Sequence, residues 1–370
     1  MKRFFLLVCL CACSSLGVMA QGNAQQLADS IMKYQLKSGG WAKNQNWLEG
    51  VNPKEAEVWR KTGLGATIDN GATVSEMKAL AKAADKVFEI KASNYKGLDK
   101  KALDKQLATY RTAFMGGLNF LLKMQYPNGG FLQFYPVRHK DDYSAHITFN
   151  DNAMVNVLKM LRDVSNGAAA YKNIGIDKAT KKKCLAAYER GIQCILDCQI
   201  RVDDAGKVLT YGSDEWKHGK RTVWCQQHDK ETLAPAKARS YELPSYTGHG
   251  ETVNIIELLM DVQSPSAEVN EAVTSAVEWL EAHAMKDVAM ETFVDEEGRK
   301  DIRLVEQEGA PLLWARFYDL ENAEPMFCDR DGIPMKKLSD IGHERRNGYR
   351  WVGDAPKRVI ERYHGRWKQP

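Results

Sequence analysis

Apolar residues recur every three to four positions along most of the chain, and few stretches alternate between apolar and polar residues. The first spacing is typical of helices and the second of strands, so the pattern predicts a mostly α protein. Polar segments separate the helices, which can then pack on one another. The predicted helices cover residues 26–36, 73–88, 103–125, 153–161, 182–198, 253–260, 269–283 and 356–363. In the second of these, one face carries Val74, Met77, Leu80, Ala81, Ala84 and Val87.

A weak internal repeat accompanies the helices. Gly39-Gly40-Trp41 and Gly129-Gly130-Phe131 each follow a predicted helix closely. A second feature precedes later helices and reads T-I-D-N-G-A-T from Thr67, T-F-N-D-N-A-M from Thr148 and, more loosely, S-Y-T-G-H-G-E-T from Ser245. Three copies of a helix pair would form a toroid whose loops line one cleft. The third copy begins within residues 222–251, a long irregular stretch rich in charged and aromatic residues, where we expect the chemistry.

Charge and hydropathy exclude two classes of protein. The formal net charge is +4 over 370 residues, which is too small to indicate nucleic-acid binding. No long apolar run follows the N-terminal segment, so we predict no membrane-spanning segment.

The first twenty residues have the pattern of a secretory signal peptide. Basic residues Lys2 and Arg3 precede an apolar run over 4–10, and small residues end at Ala20. We therefore predict export to the periplasm or the cell exterior, with residues 21–370 as a single domain. A loose lipidation motif leaves a lipid anchor at Cys13 open. The five scattered cysteines of that domain predict at most one structural disulfide.

Two pairs of oxygen-bearing residues stand just ahead of helices in matching copies of the repeat, Asp69-Asn70 and Asn150-Asp151. Each pair could simply cap its helix, because Asp and Asn side chains bond the free amides there. Together they could instead bind a cation, since calcium prefers such carboxylate and carbonyl oxygens. Both interpretations stay open at this point.

Cationic and aromatic residues around the loops are candidates for binding an acidic sugar. Arg239, Arg316 and Arg330 can each recognise a carboxylate through a planar fork, or form an ion pair with an acidic neighbour. Lys43 is a similar candidate, and Trp41 could stack on a sugar ring or belong to the core under its loop.

Several segments together resemble the pectate lyases of polysaccharide lyase family 10, from about residue 25 to the C-terminus. They are G-G-W-A-K-N from Gly39, T-I-D-N-G-A-T from Thr67, G-G-F-L-Q-F-Y-P from Gly129, I-T-F-N-D-N-A-M from Ile147, T-V-W-C-Q-Q-H-D from Thr222, A-R-S-Y-E from Ala238, W-A-R-F-Y from Trp314 and F-C-D-R-D-G from Phe327. The resemblance implies an (α/α)3 toroid. It also implies a single catalytic domain that cleaves polygalacturonate, the backbone of pectin, by calcium-assisted β-elimination.

The resemblance also implies roles for individual residues. Asp69 and Asp151 match the calcium ligands of the family, and Asn70 assists at the same site. Arg239 matches the arginine that acts as Brønsted base, with Arg221 as the alternative. The substrate-binding residues would be Lys43, Arg316 and Arg330, together with Asn70 and Trp41.

Two other functions are compatible with the residues alone. An inverting glycoside hydrolase would need two carboxylates about 6.5–9.5 Å apart, for which Asp151 and Glu251 are candidates. A surface protein that binds pectin without cleaving it would keep the cleft and lack turnover. In each case we expect a monomer.

Overall fold

The mostly α fold is confirmed in a computed structural model of the chain, which describes residues 23–93, 97–139 and 141–367. Each helix predicted from the apolar spacing has a counterpart, with ends displaced by up to four residues. The helices are α1 (residues 23–33), α2 (Pro53–Thr62), α3 (Val74–Ala92), α4 (Lys100–Met124), α5 (Ala153–Ser165), α6 (Lys178–Cys198), α7 (Asp214–His218), α8 (Glu251–Met260), α9 (Ala267–Ala282), α10 (His343–Asn347) and α11 (Pro356–Arg362).

The strands are mostly very short. They are β1 (Ile147–Thr148), β2 (Arg201–Val202), β3 (Lys220–Arg221), β4 (Gln227–His228), β5 (Tyr246–Thr247), β6 (Val288–Val294), β7 (Lys300–Glu306), β8 (Trp314–Ala315), β9 (Phe317–Tyr318), β10 (Pro325–Cys328), β11 (Pro334–Met335) and β12 (Val352–Gly353). The largest sheet has four strands in the order β11-β10-β9-β5, and the others are two-stranded.

The chain divides into two compact units, which are described separately. The first contains the described residues up to Gln125, with Phe134–Arg138 and Lys159–Tyr188. The second contains Tyr126–Gln133, His139–Leu158 and the described residues from Glu189 onward. The single domain over 21–370 stays a prediction, and the predicted signal peptide and Cys13 lie outside the described residues. Within the described part of the chain, no helix has the length and apolar character needed to cross a membrane.

The core of the first unit is built from α3 and α4, which pack against each other. The whole predicted apolar face of α3, from Val74 to Val87, is buried. From α4, Phe114, Leu118 and Leu121 are fully buried. The helical spacing therefore identified the core-facing side of α3.

The glycine turns of the repeat have the same geometry in both copies. Gly39 and Gly129 have φ values of +100° and +92°. A Cβ on Gly39 would lie 2.2 Å from the carbonyl oxygen of Gly116, and one on Gly129 would lie 2.0 Å from that of Arg190. Only glycine permits both the left-handed backbone and this close approach to a helix.

The backbone link from each aromatic turn to the next helix occurs three times. In each copy, a threonine amide donates to the carbonyl oxygen of the aromatic residue. The pairs are Thr67 to Trp41 at 3.0 Å, Thr148 to Phe131 at 3.0 Å and Thr247 to Trp224 at 2.9 Å. Three residues further on, Asn70, Asp151 and Gly250 all have a positive φ, at 51°, 52° and 78°. The second repeated feature therefore has the same backbone geometry in all three copies, whereas the Gly-Gly-aromatic turn is found in two.

The sequence pattern did not predict α2, the five-residue helices α7 and α10, the β6–β7 hairpin or the short strands. Helix α2 buries none of its residues, so it has no apolar stripe to detect. It does carry the end signals, since Asn52 caps its start, Pro53 is its first residue and Gly63 follows it with φ 70°. Strands β6 and β7 form an antiparallel hairpin with seven residues in each strand, and Val288 pairs with Glu306 at its open end. In its second strand, K-D-I-R-L-V-E, polar and apolar residues alternate only from Asp301 to Leu304, which is a weak strand signal.

The described cysteines are thiols packed in the interior. All five described cysteines are free and buried, and Cys194 Sγ lies 4.0 Å from Cys198 Sγ. The sequence predicted at most one disulfide, and the residues that the structure describes contain none.

Candidate active site

The second unit places Asn150 and Asp151 on a buried polar network just before α5. The backbone amides of Phe149 and Asn150 both donate to the carbonyl oxygen of Gln226, at 2.9 and 3.0 Å. Asn150 is buried, and its Nδ2 donates to Asp151 Oδ2 at 3.0 Å. The Asp151 side chain is exposed. The network therefore holds an accessible carboxylate on a fixed backbone.

Arg316 joins this network from the short turn between β8 and β9. Its Nη2 donates to Glu251 Oε1 at 2.6 Å and to Asn150 Oδ1 at 3.2 Å. The two charged side chains are only 13% and 3% exposed. Burial lowers the pKa of Arg316, but the carboxylate of Glu251 outweighs it and the pKa is raised. Arg316 is therefore a buried, permanent cation.

Three polar atoms of the same network are buried without a hydrogen-bond partner among the described residues. They are Gln226 Oε1, Glu251 Oε2 and Arg316 Nε. Such atoms cost stability unless something fills their hydrogen-bonding capacity. Two oxygen acceptors and one cationic donor can together engage a cation, a carboxylate or ordered water.

Arg239 forms a two-point ion pair with Glu242. Arg239 Nε lies 2.8 Å from Glu242 Oε2, and Nη2 lies 2.6 Å from Oε1. The Glu242 side chain is 1% exposed, whereas that of Arg239 is 43% exposed. Burial by itself would lower the pKa of Arg239. The hydrogen bonds to Glu242 and the negative charge of Glu242 together outweigh burial, so the pKa of Arg239 is raised.

Tyr349 connects the two ion pairs. Its hydroxyl donates to Glu242 Oε1 at 3.0 Å and accepts from Gln226 Nε2 at 3.3 Å. Gln226 Nε2 also donates to Asn150 Oδ1 at 2.9 Å. Burial raises the pKa of Tyr349, which keeps the hydroxyl protonated as a donor.

Four guanidinium groups surround the rings of Tyr241 and Tyr349, and we call them the arginine cluster. The two rings lie 5.4 Å apart at an interplanar angle of 76°. The guanidinium carbons lie close to both ring centroids. For Tyr241 the distances are 5.2 Å from Arg239, 5.8 Å from Arg330 and 4.5 Å from Arg345. For Tyr349 they are 4.6 Å from Arg316 and 5.2 Å from Arg345. The geometry favours cation–π attraction.

Two members of the arginine cluster differ in accessibility. Arg330 is 61% exposed and contacts Glu344 through Nε at 3.0 Å and Nη2 at 2.9 Å. Arg345 is buried, and its Nη2 donates to the carbonyl oxygen of Gly348 at 2.9 Å. Sequence reasoning did not single out Arg345, although its basic and aromatic surroundings over residues 344–351 were visible.

In the first unit, Asp69 is buried and pairs with Lys43. The ammonium of Lys43 also lies 5.8 Å from the ring centroid of Phe134. Asn70 is exposed, and its Nδ2 donates to Asn44 Oδ1 at 3.0 Å. Two of the predicted site residues thus contact each other, as an ion pair.

Trp41 is fully buried, and its Nε1 donates to the carbonyl oxygen of Ile31 at 2.7 Å. This burial favours the core role that was the alternative for this residue, and stacking of Trp41 on a sugar is not proposed further.

Arg221, the alternative base, is also buried in a structural setting. It donates to the carbonyl oxygen of Leu196 at 3.1 Å, to Gln199 Oε1 at 3.1 Å and to Glu268 Oε1 at 2.5 Å. These contacts hold the segment after α6 against α9.

One group of carboxylate and imidazole side chains in the described residues lies close enough to surround an ion: Asp295, Asp301 and His343. Asp301 already accepts from Arg346 Nε and Nη2 at 2.8 and 2.6 Å. Asp295 accepts from Arg299 Nε at 2.9 Å. Both carboxylates are therefore compensated by arginines, and the hairpin ends there are held by ion pairs instead.

The accessible carboxylate of Asp151 and the arginine cluster both lie in the second unit of a mostly helical protein. The sequence model of the pectic acid lyase family matches residues 35–360, and the chain belongs to this family. It is therefore a lyase of pectic acid, and this family assignment argues against the glycoside hydrolase alternative. No curated protein sequence matches the chain significantly.

Two solved structures from Cellvibrio cellulosa are similar to it. One is a mutant of a family 10 polysaccharide lyase in complex with trigalacturonic acid, with 28% identity, a TM-score of 0.71 and coverage of 94% of this chain and 96% of that one. The other is the family 10 polysaccharide lyase itself, with 29% identity, a TM-score of 0.70 and coverage of 94% and 95%. The fold is thus of the helical-toroid class of these lyases.

Proposed function

We propose that this lyase cleaves polygalacturonate, (1→4)-α-D-galacturonan, by β-elimination with calcium as cofactor. The observation that carries the proposal is the arginine cluster beside the Asp151 carboxylate. Each sugar of polygalacturonate carries one carboxylate, and arginines recognise carboxylates through two parallel hydrogen bonds. The Cellvibrio lyase that this chain resembles was solved with an oligomer of the same acid.

The reaction requires loss of the weakly acidic proton on C5 and then of the C4 oxygen. Negative charge develops on the C5 carboxylate in an enolate-like intermediate, so cations fixed near that carboxylate lower the barrier. Arg330 is 61% exposed and can contact that carboxylate directly. Arg316 contributes its positive charge from within the arginine cluster, where its Nε is buried and has no hydrogen-bond partner among the described residues. Arg239 is the proposed base, because its guanidinium is accessible whereas that of Arg221 is buried.

The residues present fit a calcium ion in part. In the second unit, Asp151 supplies an exposed carboxylate, and Gln226 Oε1 and Glu251 Oε2 are buried oxygen atoms without described partners. Such hard oxygens suit calcium, which would neutralise the uronate carboxylate when bound. Asp69 stays a predicted ligand in the first unit, where calcium binding has to compete with Lys43.

Export to the periplasm or the cell exterior belongs to the same proposal. Its support is the signal-peptide pattern over residues 1–20 and the nature of pectin, a polymer found outside cells. The predicted monomer remains a prediction.

The test is to incubate the purified protein with polygalacturonate and follow the absorbance of the unsaturated uronate product. We expect product to form with calcium, to stop with excess chelator and to resume when calcium is restored. Full activity in excess chelator would remove calcium from the proposal, and no product under any condition would contradict the reaction.

A matched pair of variants tests Asp151. We expect Asp151→Ala to lose turnover while keeping its helicity and melting temperature. The control is Asp177→Ala, because Asp177 caps α6 through a 2.8 Å bond to the amide of Thr180. That variant should lose only about 0.5–2 kcal/mol of stability and keep turnover. If Asp151→Ala behaves like the control, Asp151 is a helix cap.

A further inference from the structure

One carboxylate of the site has no role in the proposed chemistry and yet has the most constrained surroundings. Glu242 is 1% exposed and contacts Arg239 through both of its oxygens. Its Oε2 also accepts from the backbone amide of Arg239 at 3.2 Å, and its own amide donates to the Arg239 carbonyl oxygen at 3.0 Å. Main chain and side chain of the two residues are therefore locked together in one tight turn.

The planarity of the guanidinium makes this contact decisive for orientation. Because Nε and Nη2 are both held by one carboxylate, the plane of the group and the direction of Nη1 are determined. Nη1 is the guanidinium nitrogen left outside the pair with Glu242. The buried carboxylate thus fixes one edge of Arg239, while the side chain keeps 43% of its surface exposed for a ligand.

Glu242 is itself held by the rest of the site. The hydroxyl of Tyr349 donates to its Oε1 at 3.0 Å, and the Tyr349 ring packs on Trp351 at 5.0 Å between centroids. Through Gln226, the same hydroxyl is linked to Asn150 and thereby to Arg316. A continuous chain of hydrogen bonds therefore connects the orientation of Arg239 to the cation that faces the substrate carboxylate.

We propose that Glu242 is the positioning residue for Arg239, and that Tyr349 holds Glu242 in register with Arg316. This inference rests on the proposed function, in which Arg239 takes the C5 proton. Near-attack geometry contributes strongly to catalysis, and a displacement of about 1 Å can cost on the order of 100-fold in rate. For Glu242 to act in this way, the gain from holding the guanidinium in one orientation has to exceed the electrostatic cost of its negative charge.

The charge of Glu242 and its orienting contacts have opposite expected effects on turnover, so an experiment can distinguish them. The negative charge of Glu242 stabilises the protonated guanidinium and raises the pKa of Arg239. If charge were the main effect of Glu242, removing it would make Arg239 a better base and turnover would rise. If orientation is the main effect, the same change lowers turnover.

The experiment compares Glu242→Gln, Glu242→Asp and Tyr349→Phe with the wild-type protein on polygalacturonate. Glutamine keeps the size but offers one acceptor oxygen to two N–H groups, so we expect kcat to fall roughly 10–100-fold. KM should change less than about threefold, because Arg316 and Arg330 still bind the polymer. Aspartate keeps the two-oxygen acceptor and should recover part of kcat, and Tyr349→Phe should lower kcat by a smaller factor.

The control is Glu291→Gln, which removes the corresponding oxygen from an exposed pair with Arg303 on the β6–β7 hairpin, at 2.7 Å. Its kcat and KM should equal those of the wild type. Wild-type kcat or a higher one in folded Glu242→Gln would overturn the inference, as would a loss confined to KM. If Glu242→Gln does not fold, normal kcat in both folded Glu242→Asp and folded Tyr349→Phe overturns it. An inactive wild-type protein would instead contradict the proposed function.

Discussion

The ion pair of Arg316 and Glu251 offers a quantitative test of how the site is built. We consider Arg316→Ala, Glu251→Gln and the double variant. The two side chains are 13% and 3% exposed, and the paired atoms lie 2.6 Å apart. In Arg316→Ala, the side-chain donor that remains for Glu251 among the described residues is Gln226 Nε2, at 3.3 Å.

The expected magnitude follows from this geometry. At about 2.6 Å and an effective dielectric constant of about 20, Coulomb's law gives an attraction of roughly 6 kcal/mol. Removing Arg316 also removes the desolvation cost of its own charge, so the net loss of unfolding free energy should be about 3–5 kcal/mol. The double variant leaves no unpaired charge, so its loss should be smaller than the sum of the two single losses by about 1–3 kcal/mol.

The assay is urea unfolding at neutral pH, followed by far-UV circular dichroism and tryptophan fluorescence. The exposed pair of Arg303 and Glu291 is the control, and breaking it should cost less than about 1 kcal/mol. If the losses at Arg316 and Glu251 add within about 0.5 kcal/mol, the two charges are not coupled and the reasoning is refuted.

Three further predictions concern the base, the repeat and acid stability. Arg239→Lys should lower kcat nearly as much as Arg239→Ala, on the order of 10²–10⁴-fold, because lysine lacks the fork; a defect confined to KM would make Arg239 a binding residue. Gly129→Ala should lower the free energy of unfolding in urea by roughly 2–5 kcal/mol, because the backbone is left-handed there and the new Cβ would lie 2.0 Å from a carbonyl oxygen. Gly206→Ala is the control, since φ is +85° but the Cβ would meet open space, and its loss should be only about 1–2 kcal/mol. Hydrogen bonds from Arg346 lower the pKa of Asp301 below its unfolded value of about 3.9, so its stabilisation is complete above that pH and is lost as pH falls further. The melting temperatures of wild type and Asp301→Asn should therefore converge in acid, and a constant difference would contradict this.

The eight helices with an apolar stripe and the family resemblance could be predicted from the sequence. The apolar period of α3 is a local property, and the six residues of its predicted face are all buried. The glycine turns and the T-x-D/N segments repeat because each copy needs the same backbone geometry. They could therefore be recognised in the sequence as well. Helix α2 was missed because an element that buries nothing carries no apolar stripe.

The contacts that assemble the site became visible only in the folded chain. Sequence motifs singled out Arg239, Arg316 and Asp151, but not the contacts that hold them. Arg316 meets Asn150 across 166 positions, and Tyr349 meets Gln226 across 123. Local spacing does not encode such pairings, because they depend on how packed helices bring distant loops to one place. For the same reason the burial of Trp41 and the pairing of Asp69 with Lys43 became visible only in the folded chain.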